Sequence, residues 1–401
     1  MATTILEPRH YRFASRMKRM KSSAVREILK IAERPDIISF AGGLPAPELF
    51  PVDVIARAHA EVFADEGPAA LQYSTTEGWL PLRELLAGRM NARGIETAAD
   101  RVLITSGSQQ GIDLVGKIFL EPGDSVLVEN PSYLAALQVF RGYEASLIGV
   151  DSDDEGILID QVEQAVKRAR PKFLYVVSDF QNPRGTSLSA ERRAQLIELS
   201  RRYQLPILED DPYGDLRYRG ERPPALAAMD RHGLVIYIST FSKTLSPGMR
   251  IGWITASQEI IHALIIAKQP ADLHTSTIEQ RAAVHAIAAF DFDAHIAGLC
   301  KVYGDRCDSM LDALERYFPA EARWTHPEGG LFLWIELPKS IRGEDLLEDS
   351  LREHVAFVPG GPFFVDEGHD HFIRLNFSNR PADIIDEGVK RIAAALKRRL
   401  A

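Results

Sequence analysis

The sequence predicts an α/β protein organised around a mostly parallel sheet. Short apolar strands alternate with helical segments from residue 101 onward, and three of these strands end in polar residues at nearly equal spacing. Asn182 precedes Asp210 by 28 residues and Asp210 precedes Lys243 by 33, about one strand-helix-strand unit each time. Because successive parallel strands end at the same edge of a sheet, these side chains are expected to converge there.

Length and charge narrow the class of protein further. The chain has 401 residues, which suggests two domains, and its 45% hydrophobic and 26% charged residues are ordinary for a globular protein. A formal net charge of -9 disfavours nucleic acid and anionic membranes as partners. No run of residues approaches the ~20 apolar residues that are needed to span a bilayer.

The cysteines and the N-terminus favour a cytoplasmic location. Cys300 and Cys307 lie on one predicted helix, about 10 Å apart and too far for a disulfide, which indicates a reducing compartment. The first residues lack an apolar signal core. Their basic character resembles a transit peptide, but Glu7 and Pro8 interrupt an amphipathic helix, so a basic arm is favoured.

The elements before residue 101 are predicted to be helices around one short strand. A helix covers residues 24–33, and residues 37–40 form a strand that runs into a Gly-Gly loop. Two further helices cover residues 51–65 and 81–92. The second of these begins with proline, which is tolerated in the first turn of a helix.

A candidate anion site follows the first strand of the alternating region. Residues 102–104 form the strand, residues 105–111 carry glycine and hydroxyl side chains, and residues 112–119 form an apolar helix. Free N–H groups and the helix dipole at such a junction suit a phosphate, although a tight turn with a capping serine explains the same residues. No GK[ST] sequence follows, so a nucleoside triphosphate is disfavoured.

An aromatic residue follows the next predicted strand, which covers residues 125–128. Asn130 ends this region, and Tyr133 stands at the start of the helix after it. A tyrosine at the carboxyl end of a strand can cover the face of a flat cofactor ring, or it can pack at the rim of the core.

Another core strand is followed by hydroxyls, Lys243, a Pro-Gly turn and Arg250. A lysine beside a phosphate site suggests pyridoxal phosphate held as a Schiff base, although a solvated surface turn explains this stretch taken alone. The other strand ends carry what that cofactor needs. Asp210 would keep its ring nitrogen protonated, and Asn182 and Tyr213 would bind its ring oxygen. Turns and caps explain each group singly, but their convergence favours a cofactor site.

The chain after residue 254 changes to helices and then to a smaller α+β pattern. A hairpin with a Gly-Gly turn and two more strands precede the closing helix, and this part is predicted to be a second domain. The predicted helices cover residues 260–267, 278–290, 294–318 and 384–400, and the predicted strands cover 324–337 (the hairpin), 355–361 and 372–377.

Arg374 lies among apolar residues of the last predicted strand. An inward arginine needs an anionic partner, and the carboxylate of a free amino acid substrate would serve. A structural ion pair or an outward side chain is the alternative. The His369-Asp370-His371 sequence has metal-binding residue types, but adjacent side chains point apart, so a solvated loop is favoured over a metal site.

These motifs together resemble the fold-type I pyridoxal-phosphate aminotransferases of class I/II. The resemblance covers nearly the whole chain and is greatest to the 2-aminoadipate and kynurenine aminotransferase subgroup. The motifs that carry it are Phe40-Ala41-Gly42-Gly43-Leu44-Pro45, Leu71-Gln72-Tyr73-Ser74, Thr105-Ser106-Gly107-Ser108-Gln109-Gln110, Glu209-Asp210-Asp211-Pro212-Tyr213 and Val358-Pro359-Gly360-Gly361.

The resemblance also implies an architecture. It implies a large domain with a mixed, mostly parallel seven-stranded sheet between helices, and a smaller α+β domain built from the two termini. Residues 1–50 would form an N-terminal arm, a lid helix and part of the small domain, residues 51–290 the large cofactor-binding domain, and residues 291–401 the C-terminal small domain. A homodimer with shared active sites is expected.

Roles for the site residues follow from the same resemblance. Lys243 would form the Schiff base and then act as the catalytic base, and Asp210 would bind the pyridinium nitrogen. Arg374 would bind the substrate α-carboxylate, and Arg26, on a mobile N-terminal helix, would meet a distal carboxylate. The other implied contacts are Asn182 and Tyr213 on the ring oxygen, Tyr133 stacked on the ring, Ser108, Gln109, Thr240, Ser242 and Arg250 on the phosphate, Tyr73 reaching the phosphate from the neighbouring subunit, and Gly43 beside the substrate.

One position departs from the family pattern. The usual Asn-Pro-Thr-Gly reads Asn182-Pro183-Arg184-Gly185 here. A bulky cation beside the site would either alter substrate choice or point to solvent.

The predicted activity is therefore amino-group transfer in two half-reactions. The donor would be an L-amino acid of 2-aminoadipate-like, aromatic or long aliphatic type, and the acceptor a 2-oxo acid such as 2-oxoglutarate. A β-lyase or decarboxylase reaction on the same cofactor is the main alternative. A cofactor-binding regulator domain is a further one, but such regulators carry an extra DNA-binding domain and only about two dozen residues precede the first matching helix.

Overall fold

The computed structural model describes residues 11–18, 28 and 34–401. The predicted helix over residues 24–33, with Arg26, lies outside the described residues except for the buried Ile28. The described strands are β1 (Ile38–Ser39), β2 (Val102–Thr105), β3 (Ser125–Asn130), β4 (Ser146–Asp153), β5 (Gly156–Ile157), β6 (Leu174–Val176), β7 (Ile207–Asp211), β8 (Val235–Thr240), β9 (Gly252–Thr255), β10 (Arg323–Trp324), β11 (Phe332–Glu336), β12 (Val355–Ala356), β13 (Val358–Pro359) and β14 (Phe372–Asn376).

The described α-helices alternate with these strands through the middle of the chain. They are α1 (Val52–Ala70), α2 (Leu80–Ala92), α3 (Ser108–Phe119), α4 (Leu134–Gly142), α5 (Ile159–Ala169), α6 (Ala190–Tyr203), α7 (Leu226–Met229), α8 (Gln258–Asp272), α9 (Thr277–Ala288), α10 (Phe292–Tyr317), α11 (Gly343–Arg352) and α12 (Ala382–Leu400).

The largest sheet confirms the predicted α/β class. Its strand order is β2-β9-β8-β7-β6-β3-β4-β5. Strands β4, β3, β6, β7 and β8 pair in parallel, whereas β9 runs antiparallel to both of its neighbours. Seven of the strands have three residues or more, and the eighth is the two-residue β5, which folds back on β4 at the edge.

Helices cover both faces of this sheet, which is why most residues of its central strands are buried. Along β3, Val126 and Val128 pack into one core together with α3 and α4, while Leu127 between them packs into another core with α5 and α6. Every residue of β7 and β8 is buried. The polar residues at the ends of these strands are therefore held on a rigid, dry support.

The C-terminal part forms a smaller antiparallel sheet with the order β10-β11-β14-β13. The pairing of β10 with β11 confirms the predicted hairpin. Strand β1, near the N-terminus, pairs in parallel with β12, and α12 packs on α10. This pairing joins chain segments from both ends of the sequence, and the domain boundaries at residues 50 and 290 stay a prediction.

Two further features concern the helices. Among the described residues, no single helix is long and apolar enough to cross a bilayer; α9 and α10 together pass that test by length and composition, but they are bent by 87°. Both Cys300 and Cys307 lie on α10 and are free thiols.

Candidate active site

A cavity of about 280 Å³ lies at the carboxyl ends of β6, β7 and β8. Every site residue predicted from the sequence lines it except Arg26, which lies outside the described residues, and Tyr73, whose side chain is 78% exposed. The lining residues are Gly43, Ser108, Gln109, Tyr133, Val177, Asn182, Asp210, Pro212, Tyr213, Thr240, Ser242, Lys243, Pro247, Arg250 and Arg374.

Three lining residues had no predicted role. Val177 directly follows β6, and Pro212 and Pro247 stand inside the motifs that supply Asp210 and Lys243. Valine and proline carry no reactive group, so their residue types do not suggest a place in an active site. Only their position at or after the end of a strand could have indicated that they line the cavity.

Lys243 is a buried amine without a carboxylate partner among the described residues. Its Nζ donates a hydrogen bond to the carbonyl oxygen of Gly43 at 2.7 Å. Burial, together with the positive charges of Arg250 and Arg374, lowers the pKa of Lys243 to about 8. About a tenth of this amine is therefore neutral, and nucleophilic, at pH 7, far more than for an ordinary lysine.

Asp210 presents one oxygen without a partner. Its Oδ2 accepts a hydrogen bond from the Tyr175 hydroxyl at 2.8 Å, whereas its Oδ1 is buried and has no hydrogen-bond partner among the described residues. Burial raises the pKa of Asp210 to about 7, with the hydrogen bond from Tyr175 opposing the rise and the charge of Asp211 adding to it. Such an oxygen is completed by a donor inside the cavity.

Asp211, the next residue, belongs to the opposite side of the sheet. It accepts hydrogen bonds from Arg93 at 2.7 Å, from the Tyr237 hydroxyl at 2.8 Å and from the backbone N–H of Gly214 at 2.7 Å. Although burial opposes it, the charge of Arg93 lowers the pKa of Asp211. Because side chains alternate along a strand, only Asp210 faces the cavity.

Donors for an anion meet at the other end of the cavity. Helix α3 begins at Ser108, directly after Gly107, whose φ of +76° belongs to the left-handed region. A Cβ at Gly107 would lie 2.3 Å from Nη2 of Arg250, so the turn and the guanidinium are in close contact. The Thr240 and Ser242 hydroxyls lie 2.8 Å apart. A helix N-terminus, an arginine and hydroxyls form a phosphate site.

Arg374 is a buried cation without an anionic partner in the part of the chain that the structure describes. Nη1 donates to Oδ1 of Asn182 at 2.7 Å and Nη2 to the carbonyl oxygen of Ala41 at 2.6 Å, and the guanidinium lies 4.3 Å from the ring centroid of Phe332. Burial lowers its pKa to about 10. The structural ion pair considered for Arg374 is not found among the described residues. The uncompensated positive charge of this guanidinium therefore favours the binding of a carboxylate in the cavity.

Aromatic residues and Asn182 complete the lining. Burial raises the pKa of Tyr213, and hydrogen bonding with Asn182 opposes this rise. The Tyr213 ring meets Phe332 edge-on, with a centroid distance of 5.8 Å. The Tyr133 hydroxyl lies 3.4 Å from Oε1 of Gln109, which ties the aromatic wall to the anion end.

Arg184, the departure from the family pattern, does not line the cavity. Its backbone N–H donates to Oε1 of Gln181 at 3.0 Å, and its Nη2 donates to Asp154 at 3.2 Å. The guanidinium is thus directed toward an acidic surface loop. Among the described residues, Arg184 makes no contact with the cavity through which it could directly alter substrate choice.

Residues 35–392 match the family described as aminotransferase class I and II. The chain belongs to this family. It is 44% identical over 391 residues to aromatic-amino-acid aminotransferase 1 of Thermococcus litoralis, covering 96% of this chain and 94% of the relative. It is 43% identical over 386 residues to 2-aminoadipate transaminase of Thermus thermophilus, covering 96% of both chains.

A solved structure gives the same result for the fold. The α-aminoadipate aminotransferase of Thermus thermophilus, complexed with N-(5'-phosphopyridoxyl)-L-leucine, superposes with a TM-score of 0.91 at 42% identity, covering 97% of this chain and 98% of that one. These similarities confirm the predicted fold-type I architecture, the aminotransferase activity and the pyridoxal 5'-phosphate cofactor.

The described residues fit this cofactor. The unpartnered Oδ1 of Asp210 suits a ring N–H donor, the junction of Gly107 and Arg250 suits a phosphate, and the buried amine of Lys243 suits an aldehyde. The three groups line one cavity, so a single molecule can meet all of them.

Proposed function

We propose that this aminotransferase moves the amino group of a 2-aminoadipate-like, aromatic or long aliphatic L-amino acid to a 2-oxo acid such as 2-oxoglutarate. The observation that carries the proposal is the buried Arg374, which has no anionic partner among residues 11–18, 28 and 34–401 and lies in the same cavity as Lys243 and Asp210. The donor classes are supported by the names of the relatives, which act on aromatic amino acids or on 2-aminoadipate.

The proposed mechanism begins with what each residue holds. Arg374 binds the α-carboxylate through its guanidinium, and its contact with Asn182 places that carboxylate beside the groups on the cofactor's ring oxygen. Asn182 and Tyr213 would bind the ring oxygen, Tyr133 would cover the ring, and Gly43 would border the substrate. The phosphate would be held by Ser108, Gln109, Thr240, Ser242 and Arg250, which line the same cavity.

Lys243 and Asp210 supply the chemistry of the protein. When bound, the cofactor acts as an electron sink for the negative charge that develops at the substrate α-carbon. Asp210 would keep a proton on the ring nitrogen through Oδ1. Lys243 would hold the aldehyde group until the amino group of the donor displaces it, and its released amine would then take the proton from the α-carbon, a role that suits an amine whose pKa burial lowers to about 8.

Product analysis tests this proposal directly. The purified enzyme is incubated with 2-oxoglutarate and a donor panel of 2-aminoadipate, phenylalanine, kynurenine and leucine, and glutamate, ammonia and carbon dioxide are measured. Glutamate formed in equal amount to the 2-oxo acid of the donor supports transamination, whereas ammonia or carbon dioxide without glutamate would establish a lyase or decarboxylase. Lys243→Ala should abolish multiple turnover.

The same panel tests the distal group of the donor. Arg26 lies outside the described residues, and its role follows from the family resemblance alone. Arg26→Ala should lower kcat/KM for 2-aminoadipate and leave leucine nearly unchanged. Equal losses for both donors would show that Arg26 does not read a distal carboxylate.

We also propose a homodimer in which Tyr73 reaches the partner's phosphate site. Large apolar side chains are exposed along α1 and the segments next to it: Phe63 at 49%, Leu71 at 69% and Leu273 at 56%. Tyr73 meets His274 edge-on at 5.9 Å, so it stands on the same surface. An apolar patch of this kind supports burial against a second copy.

Subunit mixing separates this proposal from a structural role of Tyr73. Tyr73→Ala and Lys243→Ala homodimers should both be impaired, the first through weak cofactor binding. Mixed and reassembled, they should regain one native site per heterodimer, because Lys243 of one subunit meets Tyr73 of the other. No recovery in verified heterodimers would place Tyr73 outside the partner's site. The cytoplasmic location stays a prediction.

A further inference from the structure

The two neighbouring carboxylates of β7 receive very different support. Asp211 accepts from Arg93, Tyr237 and the Gly214 backbone, whereas Asp210 accepts from Tyr175 alone among the described residues. Asp211 is thereby compensated by a full positive charge. Asp210, the carboxylate that faces the cavity, depends on one neutral hydroxyl and on whatever the cavity contains.

Tyr175 is placed for this contact by the parallel pairing of β6 with β7. In the register of the two strands Tyr175 lies opposite Leu208, so Asp210 stands two residues further along on the same face. The Tyr175 side chain is fully buried, and its ring packs edge-on against Phe140 with a centroid distance of 5.7 Å. Its hydroxyl is therefore shielded from bulk water, and its hydrogen bond is directed to Asp210.

We propose that Tyr175 is a positioning residue, which holds Asp210 by Oδ2 so that Oδ1 meets the cofactor's ring nitrogen and so that the carboxylate stays ionised there. The inference rests on the proposed function, because Tyr175 is argued to position Asp210, one of the residues to which that function gives a role. A hydrogen bond at one oxygen fixes the plane of the carboxylate, and the other oxygen is the one that remains unpartnered toward the cavity.

The surroundings of Asp210 explain why one hydroxyl matters. The titratable groups that interact electrostatically with it are Tyr175, Asp211, Glu129 and Tyr213. Burial raises the pKa of Glu129 to about 8, so this neighbour is mostly protonated near pH 7 and offers Asp210 no compensating charge. Tyr175 is thus the neighbour that opposes protonation of Asp210, and without its hydroxyl the carboxylate would lose its donor and take up a proton more readily.

The test removes only the hydroxyl. In Tyr175→Phe, the visible absorbance of the bound cofactor is titrated with pH, and the NMR chemical shift of an isotope-labelled ring nitrogen is measured. We expect the nitrogen signal to move toward its unprotonated value and the absorbance titration to shift by about half a pH unit or more. We also expect kcat to fall on the order of tenfold with a smaller change in KM.

Tyr237→Phe is the matched control. Tyr237 is equally buried and donates to Asp211 at the same 2.8 Å, but on the side of the sheet away from the cavity. The Tyr237→Phe substitution should lower the thermal stability about as much as Tyr175→Phe does, and it should leave the absorbance titration and the nitrogen chemical shift of the cofactor unchanged.

Two results would overturn the role of Tyr175: native cofactor signals in Tyr175→Phe, or the same displacement of the signals in Tyr237→Phe. The spectroscopic readings need no turnover. Failure of the wild-type enzyme to form glutamate would therefore refute the proposed function without deciding the role of Tyr175.

Discussion

Single residues of the cavity have protonation states that differ from those in water, and Lys243 is the clearest case. The amine reacts with an aldehyde only when neutral. With a pKa of about 8 instead of the ordinary 10.5, roughly a tenth of it is neutral at pH 7 and half near pH 8. We expect the rate at which apoenzyme captures pyridoxal phosphate to rise with pH and level off above about 9.

Stopped-flow absorbance of cofactor binding to the apoenzyme measures this profile, with total fluorescence quenching as a control for non-covalent binding. Lys243→Ala should show the non-covalent phase alone. A rate that keeps rising to pH 10.5 would mean that Lys243 titrates as an ordinary lysine.

Arg374 and Arg184 provide a second comparison at the scale of residues. Arg374→Ala should reduce kcat/KM by about a hundredfold or more, because a buried carboxylate would lose its cation. Arg184→Thr restores the common family residue and removes only a contact with the exposed Asp154, so kcat/KM should stay within about threefold.

Steady-state kinetics over several donors measures both variants. A change in donor preference caused by Arg184→Thr would contradict the geometry, in which Arg184 stands outside the cavity. A near-native Arg374→Ala would contradict the assignment of the α-carboxylate site.

The sequence alone could propose Asp210 and Asp211 as neighbours at a strand end, and alternation says that they face opposite sides. It could not say which side holds the cavity, since that depends on how distant segments pack. The spacing of the strand ends and the family resemblance both pointed to Asp210, and the positions of Arg93 and Tyr237 supply the physical reason why Asp211 is directed elsewhere. The isolated hydroxyl of Tyr175 gave no signal, because a tyrosine inside an apolar strand reads as core.

At the scale of elements, the predictable features were those with strong local patterns. The strand β3 and the helices α1, α2 and α12 have bounds within a few residues of the predicted ones. The spacing of Asn182 and Asp210 implied a helix where α6 lies, but no bounds were predicted for α5 and α6, since polar residues dominate both helices and only narrow stripes of them are buried. The antiparallel direction of β9 depends on the turn at Pro247–Met249, whose outcome no periodicity reveals.

The turn before α3 gives a prediction about cofactor affinity. Gly107→Ala would force a side chain into the left-handed region and toward the guanidinium of Arg250 at 2.3 Å. We expect the Kd of pyridoxal phosphate to rise about tenfold or more.

Gly123→Ala is the matched control for this turn. Gly123 has φ +93°, so it bears the same kind of backbone strain, but a Cβ there would meet nothing within 4 Å. Fluorescence titration of the apoenzymes gives both affinities, and thermal unfolding gives both stabilities. Equal losses of affinity in the two variants would show that strain, not the contact with Arg250, governs the phosphate site.

At the scale of the whole molecule, the cavity is assembled from segments far apart in the sequence, from Gly43 to Arg374. A ligand that bridges such segments stabilises the folded chain. We expect removal of pyridoxal phosphate to lower the Tm, and inorganic phosphate at millimolar concentration to restore part of the loss by occupying the donors near Arg250.

Differential scanning fluorimetry measures these shifts, with sodium chloride at equal ionic strength as the control. The restoration by phosphate should disappear in Arg250→Ala. An equal rise of the Tm with sodium chloride would show that the effect of phosphate is one of ionic strength and not of binding near Arg250.

The sequence predicted which strand ends would meet, but not how the two ends of the chain contribute. The parallel pairing of β1 with β12 joins residues 38–39 to residues 355–356, a contact that no local pattern contains. The bond from Arg374 to Ala41 is of the same kind. Such contacts follow from the whole fold, and the family resemblance implied only that the two termini share the smaller domain.

The loop after β1 contributes to the site through its backbone. The carbonyl oxygens of Ala41, Gly42 and Gly43 accept from Arg374, Asn376 and Lys243 respectively. Deleting one residue of this loop would shift every acceptor by a position. A side chain at Gly43 would also press on the ring that lies under Arg374, because a Cβ there would stand 3.1 Å from Cζ of Phe332. The loop therefore aligns three donors of the site through its length, and the absence of a side chain at Gly43 keeps that alignment free of steric conflict.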